Sequence, residues 1–133
     1  MTAKPIPEGY HSLTPNLTVS SGLEALDFYA NAFGADVVRK LVMGGKLMHS
    51  ELRIGDSLFS VSDPFEDFGL AAPQPDAPLS SSILIYTEDV DALYDRAIAA
   101  DHNRAETYKL RAEVYAAKGM VFCDLSHSLR RVF

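Results

Sequence analysis

Two stretches of this chain repeat one another. TPNLTV (14–19) matches SILIYT (82–87) at an offset of 68, and LEALDFYANA (23–32) matches VDALYDRAIA (90–99) at an offset of 67. In both copies an alternating run leads into apolar positions at helical spacing, so both begin strand then helix. Self-similarity on this scale signals two alike modules packed as a pair. That limits the possible folds more than any other feature of the chain.

The first copy can be followed further. Leu13, Leu17 and Val19 alternate with Thr14, Asn16 and Thr18 as a strand would, and Pro15 marks an edge or an irregularity because it has no N–H for a ladder. Ser20 or Ser21 is placed to cap a helix, with Glu24 completing a capping box. Leu23, Leu26, Ala30 and Phe33 form its expected buried stripe, and Gly34 its end. Ala35–Met43, Lys46–Ile54 and Ser57–Ser62 then read as three strands, with turns at Gly44-Gly45 and Gly55-Asp56. The module is βαβββ. Residues 63–79, with four prolines, form a linker in which Phe65 and Phe68 either cover a cleft or anchor the loop.

Composition excludes several classes. The chain has 133 residues, room for one domain or two small fused modules. A net charge of −6 without a Lys/Arg cluster argues against nucleic-acid and anionic-membrane partners. Cys123 is the only cysteine, so no intrachain disulfide forms, and its MVFC setting suits an inert core thiol; a reducing, cytoplasmic location is expected. No segment is apolar for long enough to span a bilayer, and the start lacks a signal-peptide core.

The third strand carries the most chemistry. Met48, Leu52 and Ile54 alternate with Leu47, His49, Glu51 and Arg53. With the apolar face under the helix, the other face gathers Thr14, Asn16, His49, Glu51, Arg53 and Ser60. His49 and Glu51 have a spacing that can chelate, although such pairs are common on polar sheet faces. His11, His102 and His127 have no partner at ligand spacing. No phosphate-binding glycine loop and no serine nucleophile elbow occurs. Asp27-Phe28-Tyr29 on the helix reads as packing.

TPNLTV, LEALDFYANAFGA, MHSELRIGD and YTEDVDALYDRAIAA together resemble the vicinal oxygen chelate superfamily of glyoxalases, bleomycin-resistance proteins and extradiol dioxygenases. Within it, P-x-L, DFY-x-x-x-FGA and MHSELRIGD are most similar to the PhnB-like branch. The resemblance covers residues 9–100 and implies an α+β fold: paired βαβββ modules forming a cupped mixed sheet, usually in a homodimer. A single domain of this kind would comprise module one (9–63), the linker (64–79) and module two (80–133).

The C-terminal third is atypical. GMVFCDLSHSLRRVF (119–133) keeps Asp124, Val132 and Phe133 of the superfamily's closing hairpin but has Leu125 and His127 for its proline and glycine. Residues 94–119 read either as a helical pair of tetratricopeptide type or as helix followed by strand. In the second reading Tyr108, Leu110, Ala112 and Val114 alternate.

The resemblance also implies where a metal would bind. Its ligand positions, carried over, fall on Thr14, near Ser60, on Ser82 and on Arg131. None is His, Asp or Glu, and an arginine repels a cation, so no metal and no cofactor is expected. The expected function is therefore metal-independent binding of a small organic molecule in a polar cleft built from Thr14, Asn16, His49, Glu51, Arg53, Ser60 and Ser82. The alternatives are a metal-dependent lyase, dioxygenase or transferase of the same superfamily, or a helical interaction module at the C-terminus.

Overall fold

The strand–helix–three-strand order occurs twice in the computed structural model, which describes residues 2–74, 83–102, 111–115, 120–124 and 130–132, with backbone alone from residue 101 on. The fold is α+β with two mixed four-stranded sheets. Two compact units divide the chain near residues 72 and 73, with Asn31–Phe33 counted in the second.

Unit one contains β1 (Asn16–Thr18), α1 (Gly22–Phe33), β2 (Asp36–Met43), β3 (Lys46–Ile54) and β4 (Ser57–Ser62). Its strand order is β1-β4-β3-β2. β1 and β4 run parallel, while β2–β3 and β3–β4 are antiparallel hairpin pairs. The Gly44-Gly45 turn between β2 and β3 has φ of 57° and 77°, the positive values that a tight two-residue hairpin demands and that glycine adopts without strain. β1 is shorter than the alternation suggests. Leu13 precedes it and is 87% exposed, while the Pro15 carbonyl still accepts the Ser60 N–H at 2.9 Å.

One face of this sheet is covered by α1. Leu47, Leu52 and Val61 are fully buried, each such side chain stabilising the fold by about 2 kcal/mol. From the helix, Ala25, Leu26, Phe28, Tyr29, Ala32 and Phe33 are buried. The Tyr29 and Phe59 rings meet edge to face at 5.6 Å, so Phe59 marks the helix-covered side of β4. The buried stripe is rotated from the one expected: Leu23 is exposed and Ala30 only half-buried. Small residues share the buried side: Gly22 lies against Leu47, Ala25 and Ala32 are buried too, and a reading weighted by side-chain size passes over them. Gly34 ends the helix as expected, in the left-handed conformation, with its N–H on the Ala30 carbonyl and the Ala35 N–H on that of Tyr29.

The start of the helix is held differently from expectation. Ser21 occupies the N-cap position but makes no side-chain capping bond. Asp63, just past β4, does that work. Its Oδ1 accepts the Gly22 N–H and its Oδ2 the Leu47 N–H, each at 2.7 Å, and the carboxylate is buried. An ionised carboxylate at a helix N-terminus also meets the positive end of the helix dipole. One side chain thus joins the ends of three elements.

Unit two contains β5 (Ile83–Tyr86), α2 (Val90–His102), β6 (Arg111–Tyr115), β7 (Met120–Asp124) and β8 (Arg130–Val132). Its strand directions copy those of unit one: the first, second and fourth run one way and the third the other. The order differs, β5-β7-β6-β8, so β5 pairs with the third strand and β8 lies beside the second. This departure falls in the stretch whose sequence was atypical. Arg111–Tyr115 is a strand, and the helical reading of those residues does not hold. No helix among the described residues is long and apolar enough to cross a membrane.

Candidate functional site

On the face of the unit-one sheet away from Phe59, backbone pairing sets four polar residues in one row across all four strands. Asn16 on β1 pairs with Ser60 on β4, Ser60 with Glu51 on β3, and Glu51 with Arg39 on β2. Residues directly opposite one another across a ladder have neighbouring side chains. The Ser60 hydroxyl donates to Asn16 Oδ1 at 2.9 Å. Arg39 Nε lies 3.6 Å from Glu51 Oε2, and His49 Nε2 lies 3.3 Å from Glu51 Oε1. Arg53 follows Glu51 on the same strand face and is exposed.

Glu51 is the hub. Its side chain is 13% exposed, against 69% for Arg39 and 46% for His49. The Tyr10 hydroxyl, from the segment ahead of β1, also hydrogen-bonds to it. That bond is the largest influence holding the Glu51 carboxyl below the ordinary carboxylate range; burial pushes the other way, and His49 and Arg39 add to the lowering. The same bond raises the Tyr10 phenol above its ordinary value, helped by burial and by the Glu51 charge, while Arg39 and Arg53 oppose. The row is therefore a fixed carboxylate surrounded by donors.

Two β-bulges build this arrangement. Pairing slips between Val37 and Arg39, leaving Val38 without an opposite number, and slips back between Leu41 and Val42, where Met48 is the extra residue. A one-residue slip exchanges the faces of every side chain beyond it. The first bulge brings Arg39 rather than Val38 opposite Glu51. The second returns Leu47 to the helix-covered side, where it is fully buried. Regular alternation had placed Leu47 with His49, Glu51 and Arg53; the bulge at Met48 is why it does not lie there.

Asn16, His49, Glu51 and Ser60 thus come together, with Arg53 next along the strand. Thr14 lies ahead of β1 and is exposed. Ser82 lies outside the described residues, as does His127. Tyr10 and Arg39 join the site without having been foreseen. Tyr10 sits among prolines and a glycine that read only as a lead-in, and Arg39 needed the bulge. Its charge did not single Arg39 out, because Asp36 and Lys40 are charged on the same strand.

No family model matches this sequence, and no curated protein matches it. Solved structures do. A gene product from Arabidopsis thaliana superimposes with a TM-score of 0.56 at 22% identity, covering 77% of this chain and 76% of that one. SMU.1112c gives a TM-score of 0.53 at 23% identity, covering 90% of this chain and 94% of that one. Both have glyoxalase/bleomycin-resistance-like folds. The fold of this chain is glyoxalase-like.

The metal positions of metal-dependent glyoxalase-like proteins can be tested against these residues. Ser60 directs its hydroxyl at Asn16, Thr14 is exposed ahead of its strand, and Arg131 stands on β8. His49 and Glu51 approach one another, but the second Glu51 oxygen faces a guanidinium at 3.6 Å, where a divalent ion would be repelled. Among the described residues no three His, Cys, Asp or Glu side chains gather at one point. The described residues do not fit a divalent metal.

Proposed function

We propose that this glyoxalase-like protein binds a small organic molecule on the polar face of its first sheet, without a metal. The observation that supports this reading is the row Asn16–Ser60–Glu51–Arg39, which spans four strands with Tyr10, His49 and Arg53 beside it. Polar groups on a sheet face that are already oriented by one another lose little freedom when a ligand arrives. Glu51 is saturated by its own neighbours, so it serves to hold donors in place. The exposed guanidinium donors of Arg39 and Arg53 are what a ligand would meet, and a partner with acceptor oxygens suits them.

In this reading the chain belongs to the PhnB-like branch. The single-domain layout with module one at 9–63, linker 64–79 and module two at 80–133, assembly as a homodimer and a cytoplasmic location are further parts of the proposal. Ser82 would contribute from the second module.

The test is a thermal-shift screen of the purified full chain against aromatic and polar antibiotics, with and without a chelator. The expected result is a hit whose shift survives chelation and is lost in Glu51→Gln. A screen without hits, or hits abolished by chelator, would overturn the proposal. Light scattering in solution would test the dimer.

A further inference from the structure

A cavity of about 600 Å³ opens at the far end of unit one, between the start of β3 and the loop after β4. It shares no residue with the polar row. Lys46, Asp63, Phe65, Glu66, Asp67 and Phe68 line it. Its size falls within the range of small-molecule pockets.

The loop that forms it is locked by its own backbone. Phe65 and Leu70 exchange both main-chain hydrogen bonds, at 2.9 and 3.0 Å. Between them Glu66–Phe68 makes one 3₁₀ turn, closed by the Phe68 N–H on the Phe65 carbonyl and the Gly69 N–H on the Glu66 carbonyl. The turn holds Phe68 out, 82% exposed, where burial gives it no reason to be.

The charges around the cavity are lopsided. Asp63, Glu66 and Asp67 face a single ammonium, that of Lys46. Asp63 is engaged by backbone N–H groups, and among the described residues neither Glu66 nor Asp67 makes an ion pair. The Lys46 ammonium lies 5.6 Å from the centre of the Phe65 ring, so that ring already turns a face to a cation. An anionic ligand would find one partner and three repelling carboxylates. A cationic one would displace the Lys46 ammonium from the Phe65 ring, and would find two free carboxylates and the exposed Phe68 in return.

We propose that this cavity is a second binding site, separate from the polar row, for an organic cation carrying an aromatic group. The test uses the full chain, labelled with nitrogen-15, titrated with benzyltrimethylammonium and, separately, with phenylacetate. The expected result is a saturable shift of the amide signals of Lys46 and of residues 65–70 with the cation, and a far weaker response to phenylacetate. Phe65→Leu should weaken binding about fivefold, as loss of one cation–π contact does. Because that change can loosen the loop, the exposed pair Glu66→Gln/Asp67→Asn gives an independent reading, with weaker binding and a flatter dependence on salt. No saturable shift, an equal response to phenylacetate, or shifts confined to the region of His49 and Glu51 would overturn the proposal.

Discussion

Hydrogen bonding from the Tyr10 phenol is the largest influence lowering the Glu51 carboxyl, which sets the segment ahead of β1 beside the middle of β3. Gly9 lies next to Tyr10, and a Cβ built there would sit 3.9 Å from an Arg53 guanidinium nitrogen. Gly9 and Tyr10 therefore lie against the polar row itself, and a ligand for that row must share its donors with them.

The bond needs a neutral phenol and an ionised carboxyl, which gives stability a pH window. The carboxyl of Glu51 is lowered on folding, so its contribution is present above the ordinary carboxylate range and is lost as pH falls through the lowered value. The phenol of Tyr10 is raised, so its contribution is present below the ordinary tyrosine range and is lost as pH rises through the raised value. Tyr10→Phe is expected to lower Tm by a constant amount between those limits and to match wild type more closely beyond both. Melting curves across pH check this; a deficit unchanged at either extreme would remove the bond as its cause.

Asp63 carries a larger structural burden. Replacing it with Asn keeps the shape but sets an NH2 group against either the Gly22 or the Leu47 N–H, where both now meet a carboxylate oxygen. Hydrogen bonds to a charged group contribute about 1.5–3 kcal/mol each, and a buried donor left unpaired costs about 1–3 kcal/mol. Asp63→Asn is expected to destabilise by about 2–3 kcal/mol in urea unfolding, with Asp63→Ala worse. A change within experimental error would mean that the clamp does not hold the helix start.

Much of this was legible in the chain. The bounds of β3 and β4, the helix end at Gly34 and the glycine hairpin all follow from local periodicity and turn chemistry, which short windows contain. What escaped reading was long-range. Asp63 lies 41 residues from the N–H that it caps, so no window joined it to Gly22. Arg39 reaches Glu51 through a bulge, and a bulge is an absence of regularity that alternation cannot foresee. In unit two the repeat made only β5 and α2 readable; the strands after α2, and which lies beside which, depend on pairing energies between distant segments.

Ser60 tests the other end of the row. It is buried, and its hydroxyl is the donor that orients Asn16. Ser60→Ala removes one neutral hydrogen bond whose acceptor, on the exposed Asn16, can turn to water instead, so the cost should be only about 0.5–1 kcal/mol. The effect on ligand binding should be larger in proportion, because Asn16 loses its fixed orientation. Comparing the variant's melting temperature with its ligand-induced shift separates the two; equal fractional losses would make Ser60 merely structural.

Gly22 offers the sharpest packing test. In a helix, Ala is favoured over Gly by about 1 kcal/mol, so propensity alone predicts that Gly22→Ala stabilises. Geometry opposes it. An added Cβ would lie 2.8 Å from both Cβ and Cδ2 of Leu47 and 3.1 Å from Asp63 Oδ1. The Leu47 Cδ2 can swing aside, but its Cβ is fixed to β3, and withdrawing the helix would stretch the 2.7 Å bond from Gly22 to Asp63. Overpacking of this kind costs about 1–3 kcal/mol against that gain, so Gly22→Ala should destabilise by up to about 2 kcal/mol. Leu47→Ala removes Cδ2 and leaves Cβ, so in that background the cost of Gly22→Ala should shrink without vanishing. A double-mutant cycle measures the difference. If Gly22→Ala cost the same in both backgrounds, the close approach of α1 to β3 would not be what reserves this position for glycine.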